Sequence, residues 1–178
     1  MGTQTGPDGH DLRVAELSVQ IGRELGMSGA ELAVIRRSGL LHDVGKLGIP
    51  QSILDKHGAL TDSEWRVMKT HPELGLTIIG HTGRLTRELL AVLYHHERMD
   101  GSGYPHGLAA HEIPIEARIV AVADTYDVLT TDRPYRYAFS QAEALHRVQA
   151  EAGSHLDPEM VGALFRVLAV YPPISYVA

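Results

Sequence analysis

Helix start signals recur along this chain, and they constrain its fold more than any other feature of the sequence. Ser28 is followed three residues later by Glu31, which is the spacing of a capping box, in which each side chain binds the backbone N–H of the other residue. The same spacing occurs twice more, at Thr61 with Glu64 and at Ser140 with Glu143. The first signal precedes a segment with helical spacing of apolar residues, and we predict that a helix begins at each of the three.

Further helices are predicted over residues 11–25, 85–97 and 115–129, and another after Asp157, where Pro158 occupies the first helical position. The stretches 47–60, 100–114 and 130–139 carry glycine and proline and are predicted loops. No segment alternates apolar and polar residues for long enough to predict a sheet. We therefore expect an all-α helical bundle that forms a single domain over residues 1–178, with residues 1–9 flexible.

Composition excludes several classes of function. The chain has 178 residues, 44% of them apolar and 21% charged, as expected of one globular domain. It contains no cysteine, so disulfides and thiolate metal sites are excluded. A net charge of −6 argues against binding of polymeric nucleic acid. No apolar run approaches the ~20 residues that span a bilayer, so we expect no membrane insertion and a cytoplasmic location.

Ionisable side chains occupy positions that the helix patterns assign to the interior. The chain has 11 histidines, and imidazole is both the commonest metal ligand and the usual acid–base group near neutral pH. Asp124 lies on the apolar stripe of its predicted helix, His96 continues the stripe of another, and His42-Asp43 follows two leucines at the end of a third. Each residue alone is explained more simply as a hydrogen-bonded core residue. Together, the set indicates a metal or catalytic centre.

The motifs around these residues resemble those of the HD-GYP family, a group of metal-dependent phosphohydrolases. His42-Asp43-x-Gly45-Lys46 is similar to the HD signature, and residues 95–105, HHERMDGSGYP, are similar to the HD-GYP signature. Residues 47–50, LGIP, and residues 132–136, DRPYR, also match the family in the expected order. The resemblance runs from about residue 10 to residue 157 and implies an HD-type bundle with a metal centre in its core.

The resemblance also implies a complete set of metal ligands. Seven positions match the family's ligands, namely His10, His42, Asp43, His71, His95, His96 and Asp124. One metal would be bound by His10, His42 and Asp124, and the other by His71, His95 and His96, with Asp43 bridging both. Two cations about 3.5–4 Å apart can activate a water and bind the attacking and leaving oxygens of a phosphodiester. Nitrogen-rich ligation without thiolate suits iron or manganese, and zinc or nickel could also bind.

Cationic and aromatic residues near this set are candidates for contact with the substrate. Lys46 is expected to contact a phosphate or the leaving oxygen and is, with Asp43, a predicted catalytic residue. The resemblance implies that Arg133 and Arg136 bind phosphate, because a guanidinium matches phosphate oxygens bidentately; otherwise a solvated loop is the simpler interpretation. Tyr104 is a predicted substrate-binding residue that could stack on a base, hydrogen-bond the ligand, or instead pin its own loop.

Other residues are expected to have structural roles. Trp65, the only tryptophan, is predicted to lie in the core. Asp127, one helical turn after Asp124, is predicted to be a structural partner and not a ligand. The remaining histidines fall on loops or polar helix faces and are predicted to be solvated: His57, His81, His106, His111, His146 and His155.

The activity that the resemblance implies is hydrolysis of cyclic di-GMP to pGpG, and onward to GMP, by a hydroxide that bridges two divalent metal ions. An HD-type phosphohydrolase acting on another nucleotide or an alarmone is one alternative, and a non-catalytic module that binds a dinucleotide is the other. Some relatives bind a third metal through a glutamate one turn before the first histidine; Gly6 stands there, so we expect two metals. Candidate partners are a sensory or receiver domain and a second copy of the chain.

Overall fold

The computed structural model describes residues 9–80, 86–132 and 137–170. Its helices are α1 (His10–Glu24), α2 (Gly29–Leu41), α3 (Gln51–Leu54), α4 (Asp62–Met68), α5 (His71–Ile79), α6 (Arg87–Tyr94), α7 (Ile115–Thr130), α8 (Gln141–Glu151) and α9 (Pro158–Val170). Two 3₁₀ turns cover Val44–Gly48 and Ala110–Glu112. In these ranges the only β pairing consists of two isolated bridges, so the predicted all-α class is confirmed.

Two of the three predicted capping boxes form completely. Ser28 accepts the N–H of Glu31 while the carboxylate of Glu31 accepts the N–H of Ser28 at 2.9 Å, and Thr61 and Glu64 make the same reciprocal pair. At the start of α8 only the serine half forms, and the carboxylate of Glu143 instead accepts a hydrogen bond from Arg147.

The structure differs from the predicted elements at two places. A short helix, α3, lies within the predicted loop 47–60, where no periodicity could be read over four residues. After Thr61 only a helix start was predicted, and the structure has two helices there, since α4 ends at Met68 and α5 begins at His71. Pro72 stands in the first turn of α5, where its missing N–H is not needed, so it begins the second helix.

Helix α7 lies at the centre of the bundle. It packs against α1, α2, α6, α8 and α9, and the core between these helices is aliphatic. Its almost fully buried side chains include Val14, Ile21, Ile35, Ile119, Met160 and Leu164. None of the described helices could span a membrane, because α7, the longest of them, has 16 residues and about 20 are needed.

Two glycines allow backbone segments near the bundle centre to touch. A Cβ on Gly45 would lie 1.7 Å from the carbonyl oxygen of His71, so the 3₁₀ turn after α2 packs directly on the start of α5. A Cβ on Gly103 would lie 2.5 Å from the Cα of Glu97, so the loop that contains Gly103 packs on the backbone just after α6. These contacts bring the ends of α2, α5 and α6 together.

Candidate metal centre

The predicted metal ligands meet at this junction of helix ends. Most of them lie at the first or the last residue of a helix, or just beyond it. His10 begins α1, His42 follows α2, His71 begins α5, and His95 and His96 follow α6. Asp43 precedes the first 3₁₀ turn, and Asp124 projects from the middle of α7. A helix end places a side chain beyond the packed helical surface, so residues from four helices can converge without disrupting the core.

Asp43 lies between two groups of histidines. Its Oδ1 atom is 3.4 Å from Nε2 of His71 and 3.9 Å from Nε2 of His95. Its Oδ2 atom is 3.5 Å from Nε2 of His42 and 4.0 Å from Nε2 of His10. Each carboxylate oxygen therefore faces a different pair of imidazole nitrogens, which is the arrangement that a carboxylate bridging two cations needs.

Backbone carbonyls orient three of these histidines in the same way. The Nδ1 atoms of His42, His71 and His95 each donate to the carbonyl oxygen three residues earlier in the chain, at 2.8, 2.9 and 2.9 Å. A carbonyl can only accept, so Nδ1 carries the proton and Nε2 keeps a lone pair. All three lone pairs belong to the nitrogens that face Asp43, and metal-binding histidines are commonly held in this manner.

His10 is oriented by a carboxylate instead. Its Nδ1 donates to Oδ2 of Asp127 at 2.7 Å, and its Nε2 lies 3.3 Å from Oδ1 of Asp124. Arg13 binds both oxygens of Asp127, at 2.6 and 3.0 Å, and fixes that carboxylate. Asp127 thus serves as the structural partner that its position predicts, and the pattern is that of a carboxylate–histidine pair behind a metal ion. Nε2 of His42 is 3.8 Å from Asp124, so Asp124 adjoins this half of the centre.

His96 completes the other half through an aromatic contact. Its ring stacks on Tyr104, with centroids 4.8 Å apart and an interplanar angle of 26°. Burial lowers the pKa of His96 to about 3, and the nearby His71 adds to this effect. Burial also shifts the pKa of Tyr104, which it raises because the charged phenolate is disfavoured. Tyr104 therefore supports a candidate ligand with one face of its ring, and it also lines the cavity beside the centre. Its role in substrate binding stays a prediction.

The protonation states of His71, His95 and Asp43 suit cation binding, whereas His10 is protonated near pH 7 and must release a proton to bind a metal. Burial lowers the pKa values of His71 and His95, so both are neutral near pH 7 and their lone pairs are available. Burial raises the pKa of Asp43, but His42 and the ammonium of Lys46 outweigh it and hold that pKa well below the usual value. For His10, burial is outweighed by the hydrogen bonds to Asp124 and Asp127, which raise the pKa to about 9.

Two buried polar atoms at this junction lack a hydrogen-bond partner among the described residues, Nε2 of His42 and Oδ1 of Asp43. Leaving a buried polar atom unpaired costs ~1–3 kcal/mol, so such atoms usually indicate a missing ligand. Two sets of donor atoms could each hold an ion, with the atoms of each set within 4.8 Å of one another. They are Asp43, His71, His95 and His96, and His10, Asp11, His42 and Asp43. The nitrogen and carboxylate donors here fit divalent metal ions, as the sequence implies.

Two residues of this region were missed by the sequence reasoning. Asp11 contributes a carboxylate to the second set, and its adjacency to His10 was the available signal. Glu97 is buried, and its carboxylate accepts the backbone N–H groups of His106, Gly107 and Leu108 at 2.7, 3.1 and 3.0 Å. It therefore holds the loop that follows the double histidine, a role that only the folded loop reveals.

The predicted substrate-binding residues have different outcomes. The ammonium of Lys46 hydrogen-bonds Oδ2 of Asp43 and is 42% exposed, so it stands at the solvent side of the centre. Arg133 and Arg136 lie outside the described residues, and their roles remain predictions. The core position predicted for Trp65 is wrong, because this side chain is 45% exposed and lines a cavity next to His96. It lies on the outer face of a short helix, which the spacing of apolar residues did not reveal.

Comparison with known proteins agrees with this geometry. The sequence pattern of the HD domain family matches residues 3–160. The chain is 44% identical over 156 residues to the cyclic di-GMP phosphodiesterase response regulator RpfG of Xanthomonas campestris, covering 86% of this chain and 41% of that protein. It is 38% identical over 164 residues to 3′3′-cGAMP-specific phosphodiesterase 3 of Vibrio cholerae, covering 92% of this chain and 36% of that protein. The chain thus spans well under half the length of these curated relatives.

A solved structure has the same fold. The HD-GYP-type protein Bd1817 of Bdellovibrio bacteriovorus superimposes with a TM-score of 0.72 over 90% of this chain and 51% of that one, at 21% sequence identity. The HD-type bundle expected from the motifs is therefore confirmed. This chain belongs to the HD domain family, and its resemblance to the HD-GYP branch of that family is confirmed.

Proposed function

We propose that this chain is a metal-dependent phosphodiesterase that hydrolyses cyclic di-GMP to pGpG, and onward to GMP. The observation that carries the proposal is the position of Asp43, whose two oxygens face two separate pairs of histidine Nε2 atoms. The relatives named as cyclic dinucleotide phosphodiesterases support the choice of substrate class.

The proposed centre holds two divalent ions, iron or manganese. His10, His42 and Asp124 would bind one ion, and His71, His95 and His96 the other, with Asp43 shared between them. Asp124 lies 3.3 Å from His10 and 3.8 Å from His42. Among the donors that lie within 4.8 Å of one another on this side, Asp11 stands in place of Asp124, so Asp11 could also supply an oxygen. When bound, such a pair of metals lowers the pKa of a water and withdraws charge from the phosphate oxygens. The buried unpaired atoms on His42 and Asp43 support this arrangement.

The side chains of the protein supply orientation and charge. Asp127 and the backbone carbonyls keep the imidazole lone pairs directed inward, so little reorganisation is needed when the substrate binds. In hydrolysis, oxygen from water bonds to phosphorus, the bond from phosphorus to the ribose 3′ oxygen breaks, and that oxygen takes up a proton. The ammonium of Lys46 stands at the solvent side of Asp43, where it can stabilise negative charge on the substrate phosphate or the leaving oxygen. Arg133 and Arg136 are proposed to bind the second phosphate.

A second candidate substrate is 3′3′-cGAMP, which the name of the Vibrio relative favours. It shares one guanosine and both phosphodiester bonds with cyclic di-GMP, so the same centre could cleave it. Two further compounds represent the alternative that this chain is an HD-type phosphohydrolase with another substrate: guanosine tetraphosphate, an alarmone, and a nucleoside monophosphate, which is a phosphate monoester.

The test is a substrate panel with protein purified without oxygen and loaded with iron or manganese. The products are resolved by chromatography, and released inorganic phosphate is measured in parallel. We expect cyclic di-GMP to be converted to pGpG without early phosphate release. Unchanged cyclic dinucleotides with both metals would refute the proposal, and phosphate release from the monoester would favour the other phosphohydrolase class.

A further inference from the structure

A cavity of about 630 Å³ opens beside the metal centre, within the ~300–1,000 Å³ range of small-molecule sites. His96 and Tyr104 line one side of this cavity, and the outer face of α4 lines the other. We propose that this cavity binds one guanine base of the cyclic dinucleotide, with Trp65 as the surface on which the base stacks. The inference rests on the proposed function, because it assigns the base-binding part of the same substrate site.

Four residues at the α4 end of the cavity share one face of the helix. Asp62, Trp65, Arg66 and Lys69 have the spacing i, i+3, i+4 and i+7, and all four line the cavity and are exposed. Tryptophan is highly buried on average, so an indole that is 45% exposed at the edge of a cavity is unusual. Its face offers a large, rigid apolar surface, and every base has a π face that can stack on one.

The charge around the cavity fits a ligand that carries phosphates. Arg66, Lys69 and Arg98 line it, against the single carboxylate of Asp62, although the whole chain has a net charge of −6. The Lys69 ammonium lies over the Tyr104 ring, 5.4 Å from its centroid, so one of these cations stands beside the wall that His96 and Tyr104 form. A local positive rim favours the binding of an anion at this cavity despite the net negative charge of the chain.

The cavity is continuous with the metal centre. His96, a candidate ligand, lines it directly, and its ring stacks on Tyr104 in the same wall. A nucleotide whose phosphate lies at the metals therefore has its base directed along this wall toward α4. The carboxylate of Asp62 can accept both N–H donors on the pairing edge of guanine, whereas adenine offers one donor and one acceptor there.

Trp65 provides a direct probe, because it is the only tryptophan and its fluorescence reports this cavity alone. The metal-loaded wild-type protein is titrated with the slowly hydrolysed bis-phosphorothioate analogue of cyclic di-GMP. We expect a saturable change in Trp65 fluorescence with the same dissociation constant as that from calorimetry. Saturable calorimetric binding without any change in fluorescence would overturn the assignment.

The kinetic test compares three variants in α4. Base–aromatic stacking contributes ~1–3 kcal/mol, so Trp65→Ala should raise KM for cyclic di-GMP about 5- to 150-fold with little change in kcat. Trp65→Phe retains an aromatic face and should recover most of this loss. Val67→Ala, an exposed residue of the same helix that does not line the cavity, is the matched control and should behave as wild type. Thermal melting of each variant shows that α4 has kept its fold.

The outcomes separate this inference from the proposed function. Full activity with an unchanged KM in Trp65→Ala overturns the base site and leaves the phosphodiesterase intact. Saturable quenching without hydrolysis under either metal refutes the phosphodiesterase and supports the base site. An equal loss in Trp65→Ala and Val67→Ala assigns the effect to α4 as a whole and overturns the stacking role.

Discussion

Replacing Asp127 by asparagine tests how His10 is held for metal binding. The carboxylate accepts the Nδ1–H of His10 at 2.7 Å, and its two oxygens also accept hydrogen bonds from Nε and Nη2 of Arg13. Asparagine has nearly the same shape but no charge, and its amide nitrogen cannot accept from either partner. The variant therefore removes the charge that makes His10 a strong ligand while the surrounding helix packing stays in place.

The expected loss is in metal affinity. Mutation of such outer partners typically costs about 10–100-fold in affinity, which corresponds to ~1.4–2.8 kcal/mol. Proton competition modulates this value, because the pKa of His10 in the metal-free protein is about 9 and Asp127 is one of its causes. Near neutral pH the wild-type His10 must release a proton to bind metal. In the variant the pKa of His10 is lower, so a smaller fraction of His10 carries a proton that the metal must displace. The affinity difference should thus be smaller near pH 7 and grow as the pH approaches about 9.

The assay is a competition titration of metal-free protein with manganese and a chelator, without oxygen, at several pH values. Glu116→Gln is the matched control, because Glu116 is also a buried carboxylate on α7 that pairs with an arginine, Arg87, outside the centre. It should keep wild-type metal affinity even if its stability falls. Unchanged affinity in Asp127→Asn, or an equal loss in both variants, would refute the reasoning about His10.

Three further predictions concern other residues of the centre. Asp43→Ala should lose both metals and all activity, whereas Lys46→Ala should keep the metals and lower kcat. Elemental analysis and turnover assays distinguish the two variants, and equal metal loss in both would show that the roles are misassigned. Glu97→Gln should lower the free energy of unfolding by ~1–3 kcal/mol in a denaturant titration, because its amide group would face a backbone donor; an unchanged midpoint would contradict this. Metal-free protein should be most stable near pH 6.5. Below that pH stability falls because the unfolded chain protonates His96, whose folded pKa is about 3. Between pH 6.5 and about 9 stability falls as the pH rises, because folded His10 holds a proton that the unfolded chain has already released and this advantage is lost by its folded pKa of about 9. Thermal melting across the pH range measures this, and a steady rise from pH 6.5 to 9 would contradict it.

Much of the fold was predictable because its signals are local. A capping box such as Ser28 with Glu31 satisfies the first turn of a helix by itself, so sequence spacing is enough to locate it. The break between α4 and α5 was missed because it depends on where Pro72 falls after a turn that the apolar pattern does not mark. The short helix α3 has too few residues to show a period.

The centre could be predicted only in part. Ionisable residues on apolar stripes, such as Asp124, are anomalous in the sequence itself, so they stand out without a structure. The roles of Asp11 and Glu97 depend on which helix ends and loop amides meet in space, and no local pattern records that. Trp65 was misplaced for a related reason, since residue type alone favours burial and the cavity that it lines is formed by a distant loop.

Stepwise metal loading of the chelated protein, followed by single-turnover assays with cyclic di-GMP, measures whether the histidine–aspartate centre performs the hydrolysis. The expected result is no pGpG from metal-free protein, little after one equivalent of iron or manganese, and full turnover as the second equivalent binds, with elemental analysis giving two metals per chain. Hydrolysis that persists in chelated protein, or that is unaffected by Asp43→Ala, would contradict a reaction carried out at this centre.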